Sequence, residues 1–93
     1  MIAGNAVALQ CAVGTIAFHD DGGVRSCVID AHHRFSIEGR DLWCRAGAVL
    51  ATHADGGLAR CTLWRSFATR DLDCPPGSVA EVSDDAVLQR CGN

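Results

Sequence analysis

The sequence predicts an all-β fold built from tandem hairpins, and three observations carry that prediction. A cysteine-bounded segment occurs three times, Asp-Gly lies at the centre of two of the copies, and the flanks of those centres are short and β-branched. The copies are Cys11–Cys27 (CAVGTIAFHDDGGVRSC), Cys44–Cys61 (CRAGAVLATHADGGLARC) and Cys74–Cys91 (CPPGSVAEVSDDAVLQRC). An offset of thirty lays the second copy on the third at Leu42/Leu72, Cys44/Cys74, Gly47/Gly77, Asp55/Asp85, Arg60/Arg90 and Cys61/Cys91, among others. The first copy joins at Leu9, Cys11, Gly14, Ile16, Asp21, Val24 and Cys27, and is one residue shorter. Self-similarity in one register marks a repeat architecture. The missing residue predicts a β-bulge around Leu50 or Ala51 in the second copy.

Taken in order, residues 1–8 contain Ile2-Ala3-Gly4, a faint echo of Ile37-Glu38-Gly39 that suggests the tail of a truncated unit. The first unit then spans about residues 9–29, with Thr15–Phe18 and Val24–Ile29 as strands around Asp21-Gly22-Gly23. Asp-Gly between apolar runs is a strong hairpin signal, because Gly accepts positive φ without a Cβ clash. Asp30–Asp41 links this unit to the second, at 42–63, and Trp64–Asp71 links that to the third, at 72–91. The third centre reads Asp85-Ala86-Val87, where Ala would be strained in the left-handed region. A relaxed third turn of a different type is therefore expected.

Ser83–Gln89 comes nearest to a helical pattern, and the repeat assigns it to the third turn and returning strand. The whole is expected as one domain, residues 1–93. Six main strands and short linking strands near Ile37 and Phe67 would form an antiparallel sheet, a small barrel or a sandwich. Val13, Thr15 and Ala17 fall on one strand face and Ile16 and Phe18 on the other, both apolar. Such strands need a second covered face, from closure of the sheet or from a homodimer.

Comparison among the units sorts inside from outside. Leu9, Leu42 and Leu72 predict a shared buried layer, and the next position (Gln10, Trp43, Asp73) predicts solvent. Trp43 is thus a candidate exposed aromatic, and Trp64 stands in the second link. The first link is four residues longer than the second, and the excess is placed at Asp30-Ala31-His32-His33. Insertions on a scaffold are where function is grafted. Trp43, Trp64, His32 and His33 form the candidate binding surface.

The chain holds eight Arg against eleven acids, a net charge of −3, which does not fit nucleic acid. No signal peptide or membrane-spanning run is visible, so the default localisation is cytoplasmic, with a secreted or periplasmic origin if a leader was trimmed. Cysteines within a unit lie about 13–16 Å apart on a straight hairpin, beyond the roughly 7 Å a disulfide spans. Bonds within units therefore require the chain to fold back at Gly14 and its equivalents. Bonds between units, Cys27–Cys44 and Cys61–Cys74, are the better disulfide expectation, with Cys11 and Cys91 left over. Six reduced thiols packed in the core are the plainer expectation.

No catalytic residue and no cofactor is assigned. The glycine pairs belong to turns, and Asp21 and Asp55 are turn formers before they are acids. Cys and His are zinc ligands, yet no C-x2-C or H-x3-H spacing occurs, so no metal site is assigned.

The segments Gly14…Phe18-His19-Asp20-Asp21-Gly22 and Gly47…Thr52-His53-Ala54-Asp55-Gly56 resemble the bacterial MORN-like hairpin repeats. The likeness covers most of residues 9–91, although this chain has no Tyr. It implies a structural or protein-interaction module, some relatives of that kind being proposed antitoxins or immunity partners. The expected function is accordingly non-enzymatic, binding another protein or further copies of this chain. The alternatives are a small-molecule or metal-binding module using the His32-His33 link with His19 or His53, and a thiol redox protein.

Overall fold

The computed structural model describes residues 9–92, and these form strands, turns and bends with no helix. The truncated-unit echo at residues 1–8 lies outside the described residues. In chain order the strands are β1 (Ala17–Phe18), β2 (Val24–Val28), β3 (His33–Ile37), β4 (Arg40–Cys44) and β5 (Val49–Thr52). They continue as β6 (Leu58–Thr62), β7 (Phe67–Ala68), β8 (Asp73–Cys74), β9 (Val79–Val82) and β10 (Leu88–Gly92). Three hairpins, β1-β2, β5-β6 and β9-β10, lie side by side in one six-stranded antiparallel sheet. The sheet is open, with β1 and β10 at its two ends, so it does not close into a barrel. The links form two further hairpins, β3-β4 and β7-β8, each a two-stranded sheet of its own.

One face of the large sheet is covered by these link hairpins. Cys27, Leu50, Cys61, Ala80 and Cys91 stand opposite one another across β2, β5, β6, β9 and β10. All but Cys91 are buried, in one cluster with Ile37, Leu42 and Cys44 of β3-β4 and Phe67 and Cys74 of β7-β8. The row one residue along points outward and reads Ser26, Ala51, Arg60, Glu81, Arg90. Alternation with period two thus divides core from surface. Leu42 is fully buried, but Leu9 and Leu72 are only partly so, and the expected leucine layer is complete only at its middle member.

All six cysteines pair, and they pair within units: Cys11–Cys27, Cys44–Cys61 and Cys74–Cys91, with Cα atoms 5.7, 5.7 and 5.9 Å apart. Both expectations, reduced thiols and bonds between units, are corrected by this finding. The straight-strand distance fails because the chain loops out after the first cysteine of each unit. Gly14, Gly47 and Gly77 adopt φ of +82°, +86° and +87° at these loops. Thr15 N–H closes the first on Ala12 O, and Ser78 N–H the third on Pro75 O. The extruded residues drop out of the strand, so Cys11 comes to lie opposite Ile29, and Cys44 opposite Leu63. Val13, read from sequence as a strand residue, is at the loop and wholly exposed.

Each hairpin carries a bulge on its returning strand, at Arg25, Ala59 and Gln89. The extra residue expected at Leu50 or Ala51 is not the bulge observed, which is Ala59 on the opposite strand and recurs in all three hairpins, so it does not explain the shorter first segment. Ala17 and Ala51 hold equivalent places, opposite Ser26 and Arg60, and Gly14 and Gly47 follow their cysteines at equal distance. The one-residue difference in spacing between the two segments falls between Gly14 and Ala17.

The third turn is also corrected. Gly22 N–H donates to His19 O, Gly56 N–H to His53 O and Ala86 N–H to Ser83 O, at 2.9, 2.9 and 3.0 Å. Ala86 takes φ +64° where Gly22 and Gly56 take +93° and +91°. The turn keeps its geometry because Ser83 braces it: its hydroxyl donates to Asp85 and accepts from Val87 N–H. Replacing Ala86 with Gly removes a left-handed Cβ clash of about 1 kcal/mol. A melting scan of Ala86→Gly should show the midpoint raised by roughly 4–8 °C. An unchanged or lowered midpoint would mean that this turn stores no strain.

His19 and His53 tie one hairpin to the next. Each Nε2–H donates to a backbone carbonyl of the following hairpin, Thr52 O for His19 and Val82 O for His53, both at 2.8 Å. These Nε2 atoms therefore serve the scaffold.

Candidate interaction site

The four residues proposed from sequence meet at one corner of the molecule, where β3-β4 approaches the chain between β6 and β7. Trp43 projects from β4, on the opposite side from the buried Leu42 and Cys44. Trp64 follows β6, and its backbone N–H donates to the backbone carbonyl of Trp43 at 2.9 Å, which brings the two residues side by side. The rings meet edge to face with centroids 5.5 Å apart, a favoured aromatic geometry. The His32 ring stacks flat on Trp64 at 3.7 Å and 5°. Its Nδ1 accepts Ala46 N–H at 3.0 Å, so Nε2 carries the proton of the neutral ring. Both indoles are half-buried, and the candidate exposed aromatic Trp43 packs sideways against Trp64 of the link.

His33 lines the adjoining cleft without stacking on the indoles. It opens β3 opposite Cys44 and packs at 4.8 Å on Phe35. Burial holds its imidazole below the ordinary range, because desolvation penalises the charged ring. The folded state therefore releases the proton more readily than the unfolded chain does. This contribution to stability is full above the ordinary imidazole range, near 6.5, and is lost as pH falls through the lower folded-state value. Acidification from about pH 8 to about pH 5 should accordingly lower the thermal midpoint less in His33→Gln than in the wild type. Parallel curves for the two proteins would remove His33 as an acid-sensitive group.

The insertion is not where sequence comparison put it. His33 pairs with Cys44 as Phe67 pairs with Cys74, so Asp30–His33 have counterparts in Trp64–Phe67. The extra residues are Ser36-Ile37-Glu38-Gly39, the tip of the β3-β4 hairpin. That tip is structural: Ile37 enters the core, and Glu38 accepts Leu88 N–H at 2.8 Å beside the bulge of the third hairpin.

Two arginines complete the corner, and sequence reasoning did not single them out. The Arg65 guanidinium lies 4.2 Å from the Trp64 ring centroid and 5.2 Å from that of Trp43, within cation–π range of both. Arg34 stands opposite Trp43 on β3. His32, His33, Arg34 and Trp43 line a cleft of about 260 Å3. The available signal was adjacency, since Arg65 follows Trp64 directly.

A larger depression, about 490 Å3, lies on the outer face around Arg60, Glu81 and Arg90. Its lining includes the Arg90–Glu81 ion pair at 3.1 Å. Among the described residues no three His, Cys, Asp or Glu side chains are grouped to hold a metal ion. Compared with described protein families, curated proteins and solved structures, the chain shows no significant match.

Proposed function

We propose that the chain is a non-enzymatic β-hairpin-repeat protein that works by contact with another protein or with copies of itself, through the corner formed by Trp43, Trp64, His32 and Arg65. The carrying observation is the Arg65 guanidinium laid over two half-buried indoles beside an open cleft. Trp and Arg in pre-packed clusters are the residues that dominate binding energy at protein interfaces. The open sheet, with β1 and β10 at its edges among the described residues, and the exposed Phe18 and Val49 also favour association. The recurrence of one hairpin pattern, and its resemblance to the MORN-like repeats, agree with this reading.

The alternatives have less to support them. At about 260 Å3 the cleft is smaller than the usual small-molecule site. Cys27, Cys44, Cys61 and Cys74 are at most 1 % exposed, which leaves those sulfurs little access to a redox partner. Three disulfides in a chain of this size favour an oxidising compartment over the cytoplasmic default. Sedimentation over a wide concentration range tests the main reading: a reversible dimer is expected, weakened in Trp43→Ala. A monomer throughout, with association and solubility of Trp43→Ala unchanged, would overturn it.

A further inference from the structure

We propose that this corner reads negative charge, and that its partner is an acidic peptide segment whose carboxylates are taken by Arg65 and Arg34. The inference rests on the reading of the corner as a protein-contact surface and adds the chemistry of what it contacts.

Arg65 is held in place but not neutralised. Its guanidinium is fixed over Trp64 and Trp43, and the ion pairs among the described residues are Arg34–Asp41 and Arg90–Glu81, neither of which includes it. A guanidinium lying over an aromatic ring still has N–H donors to offer a ligand, and its planar fork matches a carboxylate. Because the side chain is already ordered by two rings, less freedom is lost on binding. Arg34 adds a second cation beside Trp43, and its contact with Asp41 is long, 3.8 Å, between two exposed side chains. Such a pair holds its partner weakly and is easily exchanged for another carboxylate.

The cleft lining of His32, His33, Arg34 and Trp43 contains no acidic residue. Arg34 and Arg65 set against the one carboxylate of Asp41 leave these residues with an excess of positive charge, on a chain whose net charge is −3. The indoles supply apolar surface for the non-charged parts of a peptide. Single-stranded nucleic acid fits less well, because it requires a basic track that follows several phosphates, and here two arginines stand on an acidic protein.

Fluorescence anisotropy with a dye-labelled Asp/Glu-rich peptide tests the inference, using a Lys-rich peptide of equal length and an oligothymidylate as comparisons. In about 50 mM salt the acidic peptide should bind best, change the tryptophan emission, and weaken as salt rises. Arg65→Gln should reduce affinity about ten-fold or more. Arg65→Lys should also weaken binding, because the charge stays and the fork is lost. Asp41→Asn should tighten binding by freeing Arg34. Melting scans of each variant separate a lost contact from a lost fold.

Equal or tighter binding of the Lys peptide or the oligonucleotide, or no binding of the acidic peptide, would overturn the inference. Wild-type association through Trp43 without peptide binding would sink this inference alone. Failure of both measurements would take the underlying reading with it.

Discussion

Replacing Cys44 and Cys61 together with Ala should destabilise the protein by about 3 kcal/mol from chain entropy alone. The bond closes a segment of sequence separation 17, and its loss releases that loop in the unfolded ensemble. For a domain of this size the change corresponds to a fall of roughly 12–24 °C in thermal midpoint. A second cost adds to the first. Cys44 and Cys61 are 0 % and 1 % exposed and stand in the core beside Leu50 and Leu63, so the lost sulfurs leave a void. The terminal bonds differ in this respect, since Cys11 and Cys91 are only partly buried. Cys11→Ala/Cys27→Ala and Cys74→Ala/Cys91→Ala should therefore melt above the central double variant. If all three double variants melt together, the bonds act through chain entropy and the packing contribution is absent. A central variant within about 1 kcal/mol of wild type would remove the disulfide from the stability of the fold altogether.

The hairpins and their order were legible from sequence because a turn centre declares itself in two or three residues. Asp21 and Asp55 accept the N–H of Gly23 and Gly57, the short-range device that the Asp-Gly-Gly triplets announced. The disulfides were not legible, for a reason of geometry. Strand rise measures a continuous strand, whereas Gly14, Gly47 and Gly77 each remove residues from theirs. Only the positive φ at those glycines reveals the detour. The position of the insertion was hidden in a similar way. Four extra residues can be placed anywhere along a link until cross-strand pairing of His33 with Cys44, and of Phe67 with Cys74, fixes them at the tip. At the candidate site, the two tryptophans and His32 were legible as types. Their meeting was not, because it depends on the hydrogen bond from Trp64 N–H to Trp43 O, between residues far apart in sequence. Arg65 becomes visible as a participant only once those two rings are side by side.

Adjacent positions on β4 should respond in opposite ways. Leu42 is 0 % exposed, opposite Phe35, on the face that β3-β4 turns towards the large sheet. Leu42→Ala removes three carbons from a site with no route for water, at a cost of about 2–5 kcal/mol depending on how far the neighbours collapse. Its neighbour Asp41 faces solvent and contributes through a long, exposed contact with Arg34, so Asp41→Ala should cost less than about 0.5 kcal/mol. The two variants also separate scaffold from site. Leu42 shares its strand with Trp43, and a loosened β4 should disturb the Trp43–Trp64 contact and shift the tryptophan emission before global melting. Asp41→Ala should leave that emission in place while removing a carboxylate from the cationic corner. Denaturant titration followed by tryptophan fluorescence and by far-ultraviolet circular dichroism reads both effects. Non-coincident curves for Leu42→Ala, with coincident curves for Asp41→Ala, are the expected pair. Coincident, wild-type-like curves for Leu42→Ala would show that the aromatic corner is held without the core beneath it.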